Sequence, residues 1–299
     1  MTDTFLEYEP ALRLGCFLAV FAVMAAWEIA SPRRSALVRF PRWLHNGSVA
    51  VLNTALLRLV FPSVAIGAAY LAQARGWGLL NHPAIPFGFA FAAAIIALDL
   101  AVYLQHVMFH AVPALWRLHT VHHADLDFDV TTGIRFHPAE ILLSMVIKLA
   151  VVVLLGPPVV SVLAFEVLLS TTSLFNHANA HLPDRLDRIL RWLVVTPDMH
   201  RVHHSAVPVE TNSNFGFNLP WWDRLLGTYR DQPAAGHESM AIGVRQLRDP
   251  KRQSLPWLLV LPFTVEPGPY PIHPAKVRRV KPSLPRAEGI ESAPKESLR

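Results

Sequence analysis

Cysteine is almost missing from this chain of 299 residues: Cys16 stands alone. A disulfide framework, a cysteine-ligated zinc site and an iron–sulfur cluster are thereby excluded. Charge is scarce as well. Asp, Glu, Lys and Arg make up only 16% of the residues, against about 25% in a typical soluble domain. Hydrophobic residues reach 52%, and the mean hydropathy is +0.32. That composition excludes an ordinary soluble globule and, for all but a short piece, disorder. The net charge of +5 comes from Lys and Arg near the ends of hydrophobic runs and in a basic tail. This placement suits a membrane surface and not nucleic acid. No repeat of solenoid length, Gly-rich phosphate loop, H-E-x-x-H sequence or nucleophile–base arrangement occurs.

Long apolar runs are what the chain has instead. A bilayer core is about 30 Å thick and takes about 20 apolar helical residues to cross. Gly76 to Leu98 contains no Asp, Glu, Lys or Arg, and predicts a span ending near Asp99. Trp43 to Ala74 is interrupted only by Arg58 and predicts another. Leu14 to Ala30 predicts a third, tilted, with Glu28 at the interface. Its acidic start (Asp3, Glu7, Glu9) argues against a secretory leader. From Ile141 to Phe175 two apolar helices flank Gly156-Pro157-Pro158, which reads as a turn between antiparallel spans. Lys148 and Glu166 then lie at one depth, roughly 12–15 Å from that turn. Charges so deep in a bilayer are expected to face each other.

Arg33, Arg34, Arg39 and Arg42 follow the first span, so their loop is expected on the cytoplasmic side. Counting spans onward brings the histidine-rich segments to that same side. The expected fold is all-α: an integral membrane bundle of about four to five spans with a cytoplasmic helical cap. Residues 1–98 hold the first spans, 99–230 the histidine-rich core with a membrane hairpin at about 139–176, and 231–275 a proline-rich interfacial or lid segment. Residues 276–299 read as a disordered basic tail.

Histidine carries the functional signal. Eleven of the 15 lie between His106 and His204. His106 and His110 are spaced i, i+4, and His119, His122 and His123 are spaced i, i+3, i+4. His177 and His181 repeat the first spacing, and His200, His203 and His204 the second. On a helix such residues share one face, a turn apart. Ten histidines exceed the four ligands of a structural zinc site, whereas two ions with a shared open position can use them. Imidazole suits iron, copper, zinc and nickel alike. His45, His82, His237 and His273 stand alone and read as loop or interface residues. His137 reads as a supporting or helix-start residue and not a ligand.

The order of motifs from about Asp99 to Tyr229 resembles the fatty acid hydroxylase / sterol desaturase superfamily of membrane-bound non-haem di-iron oxygenases. The resemblance rests on Asp99-x-x-x-Tyr103-x-x-His106, Leu115-Trp116-Arg117-Leu118-His119, Arg135-Phe136-His137-Pro138 and His177-Ala178-Asn179-Ala180-His181. It continues through Thr196-Pro197-Asp198-Met199-His200 with the following His203 and His204, Asn214-Phe215-Gly216, and Trp222-Asp223 to Gly227-Thr228-Tyr229. Val107 and Ala124-Asp125 depart from the usual pattern without removing a histidine.

The resemblance implies that His106, His110, His119, His122, His123, His177, His181, His200, His203 and His204 bind two iron ions, with zinc able to replace iron in a recombinant sample. It makes Asp99, His137, Asn179 and Asp198 candidates to orient those ligands. For Asp198, capping the His200 helix is the other expectation. The implied reaction is O2-dependent hydroxylation of a lipid C–H bond, with desaturation as its closest relative. Electrons would come from a separate ferredoxin-, rubredoxin- or cytochrome b5-like protein. The expected location is a multi-pass membrane protein with its site facing the cytoplasm, in the inner membrane of a bacterium or the endoplasmic reticulum of a eukaryote. A metal-binding or transport protein is the alternative of another class. It would favour ionisable residues spread along the spans.

Overall fold

The computed structural model describes residues 2–36, 40–61, 64–264, 266 and 268–272. The basic tail and His273 lie outside them. Among the described residues every regular element is a helix, with isolated bridges at Pro32–Ala180 and Ser205–Ile242. The long helices are α1 (Thr2–Ala30), α2 (Phe40–Val60), α3 (Val64–Arg75) and α4 (Phe87–Ala111). After α5 (Pro113–His123) come α6 (Pro138–Leu155) and α7 (Val159–Asn176). Among the described residues, five stretches are long and apolar enough to cross a membrane: Tyr8–Ala30, Phe40–Arg75, Phe87–Ala111, Pro138–Leu155 and Val159–Asn176.

Helix α7 is the centre of the bundle. Its span is 44% buried, against 17% for the α6 span, and it packs on α1, α3 and α4. Phe165, Val162 and Leu163 of α7 meet Ala65, Ile66 and Ala69 of α3 and Leu98 of α4. At the opposite end of α7, Leu174 packs with Met24 and Ala25 of α1.

The turn expected between α6 and α7 is present. Gly156 ends α6 at φ 55, a left-handed conformation that favours glycine. A Cβ on Gly78 would lie 2.1 Å from the Gly156 nitrogen, so the segment before α4 crosses the turn where neither residue can carry a side chain. That segment bonds back through Leu79 N–H to Leu154 O and Leu80 N–H to Leu155 O.

The span expected within Gly76 to Leu98 occupies Phe87–Ala111 and so continues beyond Asp99, its expected end. Asp99 is therefore inside a helix, where Asn218 Nδ2 (2.7 Å), Trp222 Nε1 (2.8 Å) and the Leu219 N–H (3.3 Å) donate to its carboxylate. These three donors make a buried carboxylate tolerable.

Short helices make up the cap: α8 (Asp184–Leu190), α9 (Pro197–His203), α10 (Pro208–Thr211), α11 (Trp221–Leu225), α12 (Gly236–Ser239) and α13 (Leu255–Thr264). Leu258 and Leu261 of α13 are buried against Trp116 and Val121 of α5, Val49 of α2 and Tyr270. The proline-rich segment is thus packed onto the histidine-bearing helix.

Candidate metal centre

Nine of the ten histidines converge. The ligand atoms of His106, His110, His119, His123 and His203 lie within 4.8 Å of one another, and so do those of His122, His177, His200 and His204. All nine are buried. Helix α4 supplies the first pair, α5 the next three, His177 caps α7, and α9 with its cap residue His204 supplies the last three. Each H-x-x-H-H motif is divided. His119 and His123 join one group and His122 the other; His200 and His204 join one and His203 the other. Residues i and i+4 differ by about 40° around a helix, while adjacent residues differ by about 100°. The i+3 member therefore points away from its neighbour at i+4.

His181 is not with them. Helix α7 stops at Asn176, so the His177–His181 spacing is not spanned by a helical turn. His181 is exposed, and its backbone N–H donates to Ser31 O at 2.9 Å. His45, His82 and His237 also lie outside both groups.

The hydrogen bonds define which nitrogen is free. The Nδ1 of His106 faces Phe215 O (2.8 Å), that of His110 Asn212 Oδ1 (3.0 Å), and that of His119 Glu140 Oε1 (2.6 Å). His122 Nδ1 faces Arg135 O (3.2 Å), His177 Nδ1 Ser173 O (2.7 Å), and His203 Nδ1 Ser213 O (2.7 Å). All six partners accept, so Nδ1 carries the proton and Nε2 presents a lone pair. Yet His106 Nε2 lies 3.1 Å from His119 Nε2, and His122 Nε2 lies 3.2 Å from His177 Nε2. Two lone pairs at this separation repel unless a cation lies between them. Adjacent ligands at 90° around an ion, each at the 2.0–2.1 Å typical of metal–imidazole bonds, are about 3 Å apart. The Nε2 atoms of His110, His123, His203 and His204 are buried with no hydrogen-bond partner. The donor set fits two metal ions.

Burial and mutual repulsion hold His122, His123, His200, His203 and His204 well below the ordinary histidine pKa, and burial brings His177 to about 4. At neutral pH these rings are uncharged, the form that binds metal.

The candidates for orienting the ligands bond elsewhere. Asp99 ties α4 to residues 218–222, as described above. His137 accepts from Ala139 N–H at 3.1 Å, capping α6, and its Nε2 faces Leu259 O. Asn179 pairs with the Arg34 backbone through both side-chain ends. Asp198 accepts from Arg33 Nε at 3.0 Å and pairs with Arg201. The cap of α9 is Thr196, whose side chain accepts from Met199 N–H, and Asp198 is in the first turn. The carboxylate that does hold a ring is Glu140. Its signal in the sequence is an acid at the start of a predicted span, where an unpartnered charge is costly.

A second polar layer fixes the loop after His123. Arg42 of α2 donates to Asp125 (2.6 and 3.0 Å) and Asp129 (2.6 Å). Against burial, which would raise it, Arg42 and Arg135 hold the Asp125 carboxyl well below the usual range. Arg135 in turn donates to Val121 O, Asn46 and Gln253. Beside the histidines a cavity of about 300 Å³ opens between α1, α4, α6 and α7, with His106, His119 and Glu140 in its lining and Phe109, Phe136 and Leu98 among its walls.

A helical membrane bundle that buries two imidazole groups beside an apolar cavity belongs to the histidine-rich, metal-binding class of membrane proteins. Residues 91–228 match the fatty acid hydroxylase family. The chain is similar to the ornithine lipid hydroxylase OlsE of Rhizobium tropici, 31% identical over 157 residues, covering 52% of this chain and 46% of the relative. Alkylglycerol monooxygenase of Xenopus tropicalis is 30% identical over 138 residues (45% and 29%), and that of Homo sapiens 27% identical over 186 residues (61% and 39%). The chain thus spans less than half the length of these curated relatives. No solved structure gives a significant match.

Proposed function

We propose that this protein hydroxylates a C–H bond of a membrane lipid, using O2, two iron ions held by the buried histidines, and two electrons from a separate protein. The observation that carries the reading is the set of facing, buried Nε2 atoms beside an apolar cavity in the bundle. Two iron ions bound there would supply the O2 activation and C–H cleavage that no side chain in the lining can perform. The protein's own work is placement. Phe215, Ser213, Ser173 and Arg135 carbonyls hold the Nδ1 protons of His106, His203, His177 and His122, so that these rings keep Nε2 free. Glu140 holds the Nδ1 side of His119 and fixes the orientation of its ring. Phe109, Leu98 and Phe136 exclude water and confine an alkyl chain beside the rings.

The relatives support a lipid as substrate, since both printed activities act on lipids. Arg33, Arg34 and Arg42 lie on the histidine side of the bundle, bonded to Asp198, Asn179 and Asp125. This basic loop supports a cytoplasmic face, and a ferredoxin-, rubredoxin- or cytochrome b5-like donor would approach from there.

Lipids of cells lacking the protein, compared with the parent under labelled O2, test the reading. An alcohol carrying label is expected. An unlabelled alkene would make the protein a desaturase, and a product formed without O2 would exclude both. Purified protein that binds metal and changes no lipid would favour a metal-binding or transport role.

A further inference from the structure

The cavity beside the histidines has a second, charged end. Lys148 of α6, Glu166 of α7 and Arg13 of α1 line it together. Lys148 Nζ is 3.0 Å from Glu166 Oε1, as expected of charges at one depth. Arg13, which the sequence did not connect with them, reaches Glu166 Oε2 at 2.9 Å and Glu9 at 2.8 Å. Eight residues of α6 separate Lys148 from Glu140, so this end is about 12 Å along the helix from the ring that Glu140 holds. An adjoining cavity of about 820 Å³ shares Arg13 and Glu166 and is also lined by Arg58. Exposed Leu14 and Leu18 of α1 and Val51 of α2 border it, which leaves it open to lipid at the flank between these helices.

Two features of this cluster point the same way. Both Glu166 oxygens face cations, whereas Arg13 is engaged through Nη1 alone and Lys148 through one of its three N–H donors. The unused capacity is on the donor side. The charge is also unbalanced. Arg58 lines the adjoining cavity with Glu166 and belongs to none of the ion pairs seen here, so among the described side chains three cations face the two carboxylates Glu9 and Glu166. In a membrane interior one further negative charge would complete the set.

We infer that Arg13, Lys148 and Arg58 hold the carboxylate of a single-chain fatty acid, which enters between α1 and α2 and extends its chain toward His106 and His119. The carboxylate accepts the unused N–H groups and balances the third cation. The separation of the two ends presents a mid-chain carbon to the metal side and not the carbon beside the carboxylate. What happens at that carbon rests on the oxygenase reading; the anchoring does not.

Binding of radiolabelled palmitate to the full-length protein in detergent micelles, with and without bound metal, tests it. Unlabelled palmitate should compete at least tenfold better than hexadecanol. Lys148→Met should erase that preference, and Lys148→Arg should keep it. Arg58→Met, which breaks none of the ion pairs described here, should reduce it several-fold and serves where Lys148→Met does not assemble. Equal competition by acid and alcohol, an unchanged preference in both Met variants, or no saturable palmitate binding would overturn the anchor. Phosphatidic acid competing as well as palmitate would assign the anion to a headgroup phosphate and overturn the single-chain assignment. An acid preference without any oxygenated product would leave the anchor standing and remove the hydroxylase reading. Hydroxylation of hexadecanol as readily as palmitate would do the reverse.

Discussion

The two histidine groups draw on the same two H-x-x-H-H motifs, yet they are anchored differently. In the group of five, His106, His110, His119 and His203 each have an acceptor on Nδ1, and three of those acceptors come from the segment 212–215. The fourth is the Glu140 carboxylate. In the group of four, His122 and His177 bond to backbone carbonyls, while the Nδ1 atoms of His200 and His204 have no partner. Rings whose second nitrogen is held lose less freedom when they bind metal. The comparison identifies the five-histidine group as the more preorganised of the two.

Removing a ligand from either group is the most severe way to test that contrast. His203→Ala and His204→Ala take one from each, and both should abolish activity and lower bound metal from two ions to one, read by elemental analysis. The remaining ion should resist a chelator better in His204→Ala, where the five-histidine group is intact. Glu140→Gln comes next. It removes the carboxylate from His119 and should cost about 10–100-fold in metal affinity or activity, with the loss confined to the five-histidine group.

Acid offers a graded test of both. Folded-state histidine pKa values below the unfolded 6.5 mean that the unfolded chain binds more protons below that pH. The metal-free protein should therefore keep full stability above about pH 6.5 and lose it progressively toward the folded value, about 4 for His177. Each such histidine contributes a slope of up to about 1.4 kcal/mol per pH unit, measurable as a fall in Tm. Thr196→Ala, which removes the cap of α9, should cost about 1 kcal/mol and weaken both groups equally. His181→Ala should change neither metal content nor activity. A loss of metal there would return this residue to the ligand set.

The long helices and the histidines were legible because both depend on period. Apolar runs between sparse charges located the spans, and Lys148 with Glu166 followed from equal depth alone. Where the structure departs from the sequence pattern, a distant residue decides the outcome. Asp99 looked like the end of a span because its donors, Asn218 and Trp222, lie more than a hundred residues away. His181 looked like a ligand because its spacing is helical, but the helix ends before it. The division of H-x-x-H-H between two groups is implicit in the 100° step, yet it needs two facing helices before it has meaning. Glu140 stands three residues after His137 in the sequence, and only the packing of α6 on α5 assigns its partner.

The division of each motif has a consequence for metal uptake. Helices α5 and α9 both serve the two groups, so an ion that seated His119, His123 and His203 would also set His122, His200 and His204 for a second. Occupancy of one position is then expected to favour occupancy of its neighbour, mutually by linkage. A titration of the metal-free protein should show positive cooperativity, with singly loaded molecules scarce at half saturation.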